Sequence, residues 1–240
     1  MALQAVAAED DRPIVVELEK VNERGDLVLA NGDEICLAGI SVPVAARRGD
    51  RATGWQAAWQ RIIEETDVSY QANKPTVHDR YGCPLVTIED GDGTSLQDML
   101  LSAGWALVDP SSVPKEASVV DAMLALEERA RSTGQGIWAD KAARPKAAAD
   151  QDELSALTGT RQLVEGQVRR VSETDRYVYL NFGNDWRTDF TTRLDRKMIE
   201  RTGFDVTALD GRKLRVRGVL VDSRGPLIDI AHPKQIEFLP

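Results

Sequence analysis

From Ile14 onward, apolar residues come in short, β-branched or alternating runs broken by turn residues, and only a few stretches change to helical spacing. The run over 14–18 is β-branched. Residues 27–37 hold two apolar segments joined through Asn31-Gly32, where both residues tolerate positive φ, so the pattern predicts a hairpin. Trp55, Ala58, Trp59, Ile62 and Ile63 recur at helical intervals and predict a helix over about 54–65. A strand pair is expected around Gly91–Gly93. Ser95-Leu-Gln-Asp then forms a capping arrangement for a short helix that turns Leu96, Met99, Leu100 and Ala103 inward. A last helix, about 116–132, buries Val120, Met123, Leu124 and Leu126 and stops at Gly134 and Gly136, before Ile137-Trp138.

Residues 140–150 are rich in Ala, contain one Pro and lack large apolar side chains, which reads as a connection between domains. The β pattern resumes past Leu157, with strands expected over 162–171, 177–182 and 188–192, a short helix over 195–201, and strands over 213–221 and 227–238. Three strands, a helix and two strands is the element order of an OB barrel. The expected fold class is therefore mainly β with α (α+β), two OB-type five-stranded barrels in tandem. The expected domains are 12–140 and 157–240, with 141–156 as linker. His232-Pro233 is read as a bend in the last strand.

Alternation assigns faces in the second barrel. Val178, Leu180 and Phe182 should point inward, leaving Tyr177, Tyr179 and Asn181 outside. Leu214, Val216 and Gly218 should point inward, leaving Lys213, Arg215 and Arg217 outside, while Trp186 and Arg187 fall in a turn. Exposed rings beside cations on an OB face suit a single-stranded nucleic acid, whose bases stack while cations track its phosphates. Tyr177, Tyr179, Arg187, Arg215 and Arg217 are the candidates for that role. The alternative is a plain solvated face, or one docked on the first domain, since Tyr and Arg are also enriched at protein interfaces.

Composition narrows the choice. The chain has 240 residues and a net charge of -9. That charge is uneven, about −10 over residues 1–150 and +1 over 151–240. An acidic first domain repels polyanions, so a nucleic acid would have to use the second. No apolar run approaches the ~18 residues of a membrane span. Ala5-Val-Ala followed by Ala-Glu-Asp fits the end of a signal peptide and gives a periplasmic or secreted location as the expectation. The alternative is an Ala-rich terminus of a cytoplasmic protein. Two cysteines, Cys36 and Cys83, are too few for a disulfide framework.

Four motifs carry a resemblance. The chain reads Ile35-Cys-Leu-Ala-Gly-Ile-Ser-Val-Pro-Val, Asp79-Arg-Tyr-Gly-Cys, Leu100-Leu-Ser-Ala-Gly-Trp-Ala and Ala130-Arg-Ser-Thr-Gly-Gln-Gly-Ile-Trp-Ala. In order and spacing across about 14–140 these resemble the staphylococcal nuclease (thermonuclease) family. The second half more loosely resembles the OB-like C-terminal regions of some bacterial thermonuclease-like proteins. The resemblance implies a Ca²⁺ held by two aspartates, a glutamate that activates water, and two arginines on the phosphate. Laid on this chain, the aspartates fall on Gly25 and Ser41, the glutamate on Val44 and the arginines on Cys36 and Cys83. None of these five can do its family's task, because Ca²⁺ wants charged oxygen ligands and a thiol has no guanidinium fork. A one-residue slip would bring Asp26 near the metal position but would turn Leu27 and Leu29 to the wrong face. The cysteines are read as two small side chains in an old cleft. The alternative is a disulfide, because the family's geometry aims both arginines at one phosphate. Two cysteines and His78 fall short of a closed zinc site. The expectation is a non-catalytic module for a protein partner, with no metal or cofactor. Single-stranded nucleic-acid binding through the second barrel and a residual metal-dependent nuclease are the alternatives.

Overall fold

The computed structural model describes residues 13–42, 54–65, 70–73, 77–79, 81–113, 117–185 and 187–240. In the first half, the Asn31-Gly32 turn joins Leu27–Leu29 to Glu34–Leu37 with Leu27 opposite Ile35, as the alternation predicted. That hairpin is the centre of a five-stranded sheet that also holds Leu18–Val21, Pro84–Val86 and Val77–His78. A second sheet pairs Ile14–Val16, Tyr70–Ala72 and Ile88–Glu89. The pair expected around Gly91–Gly93 shrinks to a single bridge between Glu89 and Ser95. Helices Trp55–Glu65, Leu96–Ser102 and Ala117–Ser132 pack on the sheets around Leu27, Trp59, Ile88, Leu96 and Leu100. Ser95 caps the second of them by accepting from the Asp98 N–H. This is an OB-type barrel decorated with helices.

Two glycines explain why the last two motifs must travel together. The Ile137 N–H donates to the Gly104 carbonyl at 2.9 Å, and a Cβ on Gly104 would sit 2.4 Å from the Gln135 oxygen. Both Gly104 and Gly136 hold positive φ, which side chains avoid.

In the second half, Arg161–Gln167 and Arg170–Glu173 form one bent first strand. Its first arm pairs with Lys213–Asp222 and its second with Tyr177–Asn181. Tyr177–Asn181 pairs with Thr191–Asp195, which runs parallel to Pro226–Ile230, and Pro226–Ile230 returns to Lys213–Asp222. The circuit therefore closes a five-stranded barrel of OB type, with helix Arg196–Thr202 after the third strand. Three boundaries differ from the sequence reading. The third strand starts at Thr191 because Asp185 to Asp189 close a turn, with the Asp189 N–H donating to the Asp185 carbonyl at 2.9 Å. The last strand divides into Pro226–Ile230 and Ile236–Phe238 around a turn in which His232 Nδ1 accepts from the Lys234 N–H. The stretch read as a linker is built into the barrel: Lys146–Ala147 adds a parallel strand to Arg161–Gln167, and Ala148 and Leu154 are core residues. Its apolar content is almost all alanine, too small to register as a core pattern.

Faces are corrected too. Asn181 is buried, donating to Ser172 Oγ and accepting from Thr191 Oγ1. Arg215 and Arg217 are 7% and 2% exposed. The reason is that the strand Lys213–Asp222 is covered on its outer side by acidic groups, Glu127 and Glu128 of the first domain and Glu165 and Glu237 of its own barrel. Arg217 reaches Glu127 of helix Ala117–Ser132 by two bonds of 3.0 Å and also donates to the Val108 carbonyl and to Glu237. Arg215 binds Glu165 at 2.7 Å and Glu237 at 3.3 Å, with Glu128 at 3.7 Å. Lys234–Asp121 at 2.6 Å and Arg161–Asp109 at 2.6 Å cross the same boundary. Beside them, Leu163 of the barrel packs with Leu107, Ala130, Ile137 and Trp138. Burial by itself would favour the neutral guanidinium of Arg217, but the charges and hydrogen bonds of Glu127 and Glu237 outweigh it and hold it protonated.

Removing one partner of such a pair strands the other charge in a dry environment. Arg217→Met is expected to lose about 3–5 kcal/mol in urea unfolding. Arg217→Met/Glu127→Leu should lose less than the two single changes combined, with a coupling of about 1 kcal/mol or more. Additive losses would show that the pair does not hold the halves together.

Candidate functional site

A cleft of about 1090 Å³ opens between the two halves, lined from one side by Gly25, Asp26, Cys36 and Cys83 and from the other by Arg161, Val219 and Asp229. Its first wall is shaped by a tight turn. Asn22 Oδ1 accepts from the N–H groups of Arg24 at 2.8 Å and Asp26 at 3.0 Å. Gly25 sits at the apex with φ +88°, and a Cβ there would lie 2.4 Å from Val42 Cγ1. An aspartate at this position would therefore need both a strained backbone and a displaced Val42. Asp26 does not replace it. Its carboxylate takes the Arg24 guanidinium at 2.7 Å, and Arg24 also binds Glu34 at 2.7 Å. The hydrogen bond to Asp26, then its charge and that of Glu34, push the Arg24 pKa up.

The two cysteines are joined. The parallel pairing of Glu34–Leu37 with Pro84–Val86 sets Cys36 opposite Leu85, two residues from Cys83. Asp79 Oδ1 then fixes the approach by accepting from the Tyr81 and Cys83 N–H groups at 2.8 Å each. The result is a Cys36–Cys83 disulfide with Cα atoms 5.9 Å apart. This corrects the reading of two free thiols in favour of the alternative. Asp26 Oδ1 lies 3.1 Å from Cys36 Sγ. Asp26, Cys36 and Cys83 thus bring possible ligand atoms within 4.8 Å of one another. A disulfide has no thiolate to give a cation, so this cluster does not form a metal site in the oxidised chain.

Ser41, on the two-residue strand Ile40–Ser41 opposite Leu107, turns a buried hydroxyl with no hydrogen-bond partner toward the same cleft. Val44 lies outside the described residues, as does Trp186. The site does not fit the Ca²⁺ its resemblance implies. Of the two ligand positions one has no side chain and the other a lone hydroxyl, and a hard cation needs several oxygen ligands.

On the second barrel, Tyr177 and Tyr179 do share a surface and are half-buried, with ring centroids 6.1 Å apart. Arg176 and Arg193 lie over the Tyr177 ring at 5.0 and 4.9 Å. Arg193 is committed to Asp229 by two bonds of 2.6 and 2.9 Å, a pairing that raises its pKa. Arg187 is exposed in the turn, with Asp185 at 3.9 Å. Of the candidates, only the two tyrosines and Arg187 remain toward solvent, and Arg215 and Arg217 do not.

Sequence reasoning missed Asp109, Arg161 and Glu127. Glu127 was the most legible, because it follows Val120 and Met123 by seven and four residues and so shares their buried helix face. Asp109 and Arg161 are 52 residues apart and carry no local signal of their pairing.

A helix-decorated OB barrel with motifs at these positions defines a nuclease-type fold. Residues 34–140 match the family model described as staphylococcal nuclease homologue, and the chain carries a domain of that family. The match leaves Gly25 and the second barrel outside its span. No curated protein matches the chain.

Undenatured, air-exposed protein should titrate no thiol until it is reduced. Cys36→Ser opens a link between residues 47 apart and should lower stability by roughly 2–4 kcal/mol. Two reactive thiols at the start would contradict the pairing. Gly25→Asp should lower the melting temperature without creating Ca²⁺-dependent stabilisation, a combination read in one thermal scan with and without the ion.

Proposed function

We propose that the chain is a non-catalytic member of the nuclease fold that serves as a binding or scaffold module for another protein. The observation that carries this is the state of the old centre: a positive-φ glycine where the metal carboxylate would stand, and a disulfide where both phosphate-binding arginines would stand. Loss of one pre-organised stabilising group commonly costs ~3–4 kcal/mol at the transition state. Here the groups of a whole mechanism are replaced together, and the effects act as a unit.

The charge of the cleft supports a protein partner over a nucleic acid. Its lining includes Glu23, Asp26, Glu34, Asp79, Asp109 and Asp229 against Arg24 and Arg161, both of which are bound to carboxylates of the same lining. Such a surface repels phosphates. The disulfide suits an oxidising compartment, which favours a periplasmic or secreted location. No helix among the described residues is long and apolar enough to cross a membrane.

A second reading keeps single-stranded nucleic acid on the Tyr177–Tyr179 surface, supported by the paired rings. With Arg215 and Arg217 committed elsewhere, it would rest on Arg176 and Arg187 for its cations, and binding should be weak and lost by physiological salt.

Purified protein at high concentration, incubated with single-stranded DNA or RNA and Ca²⁺, should show no cleavage above an EDTA control. Cleavage that requires the metal and disappears in an Asp26→Asn variant would overturn the non-catalytic reading.

A further inference from the structure

The geometry points to a cationic, extended polypeptide segment as the ligand of the interbarrel cleft, a proposal that names the partner class for the binding role above and rests on it. Four observations converge. The volume, about 1090 Å³, lies at the top of the ~300–1,000 Å³ of typical small-molecule sites and leaves room for a short stretch of extended chain. The lining pairs an acidic rim with apolar walls: Leu37, Val42, Leu85, Val219 and Val221 face the same space as the carboxylates. A segment that alternates basic and apolar side chains would satisfy both.

The third observation is how the charges are distributed. Arg24 and Arg161 are held by Asp26, Glu34 and Asp109. Glu23 and Asp79 have no cationic partner among the described residues, although both border the opening. Asp79 uses one oxygen, Oδ1, to hold the turn at Tyr81 and Cys83. Its Oδ2 is therefore left to accept from an incoming lysine or arginine. A guanidinium or ammonium that leaves water needs such a carboxylate within reach.

The fourth is Tyr81. It follows Asp79 by two residues, is 78% exposed and lies on the lining of the cleft. Such a ring on the mouth of an acidic groove gives an arriving cation a π-face, and rings of this kind anchor interfaces. The disulfide makes the wall rigid, because Cys83 ties the Asp79–Tyr81 turn to strand Glu34–Leu37. A wall formed in advance spares the cost of ordering it on binding.

The test uses the full oxidised chain and fluorescence anisotropy with three labelled probes: a decapeptide alternating arginine and leucine, one alternating glutamate and leucine, and a deoxythymidine decamer. The arginine peptide alone is expected to bind, and its affinity should fall with added salt. Glu23→Gln/Asp79→Asn and, separately, Tyr81→Ala should each weaken it about tenfold. The Asn side chain keeps an oxygen for the turn, so unchanged melting of the double variant checks that the fold is retained. Glu200→Gln/Asp210→Asn, which removes the same charge from exposed sites on the second barrel, should leave affinity within about twofold. Equal weakening by both double variants would show attraction to net charge alone and overturn the proposal. So would no binding of the arginine peptide, or preferred binding of the decamer. None of these results bears on cleavage, so the non-catalytic reading stands or falls on its own assay.

Discussion

A guanidinium with 2% exposure, clasped by a carboxylate from another barrel, governs how this chain is put together. Arg217 and Glu127 are 90 residues apart in sequence, and each is too costly to bury alone. Together they turn two barrels into one body, and the apolar contact of Leu163 with Trp138 and its neighbours lies beside them. The cleft follows from this docking, since its two walls belong to different barrels. The same pair also settles where the second domain's positive charge goes. Arg217, Arg161 and Lys234 are spent on carboxylates of the acidic first domain, and Arg215 and Arg193 on carboxylates of their own barrel. The charge difference between the halves, −10 against +1, is thus in part an internal complementarity.

The described positions that match the family's nuclease centre form a structural wall. In the family's scheme this wall holds ions and phosphates; here a disulfide ties strand Glu34–Leu37 to the Asp79–Cys83 turn, and Gly25 lets the Asn22–Asp26 turn press against Val42. Asp26 follows Gly25 on this wall, and Arg24 holds its carboxylate in an ion pair. Against the phosphate-gathering cleft of the family's scheme, the described lining here has more carboxylates than cations over a disulfide-tied base. That change of sign separates a phosphate-processing cleft from one suited to cationic partners.

Much of the fold was legible in the sequence because local rules agree with the packing. Asn31-Gly32, the Ser95 cap, and the spacing of Trp55, Trp59 and Ile63 each point to one answer, and of the five positions marked by the resemblance the structure describes Gly25, Cys36, Ser41 and Cys83. Alternation failed at Arg215 and Arg217 for one reason. It separates the two faces of a strand, and cannot tell whether the outer face meets water or a neighbouring domain. The segment 141–156 was misread because its buried residues, Ala148 and Leu154, are too few and too far apart to show a core pattern. The disulfide stayed open between alternatives, since it depends on the parallel register of two strands that no local pattern reports.

Calorimetric titration of Ca²⁺ into the oxidised protein measures most directly whether this nuclease fold holds a metal. The expected result is no saturable one-to-one binding at millimolar ion. Stoichiometric binding that Asp26→Asn abolishes would place a working metal site in the cleft and contradict it.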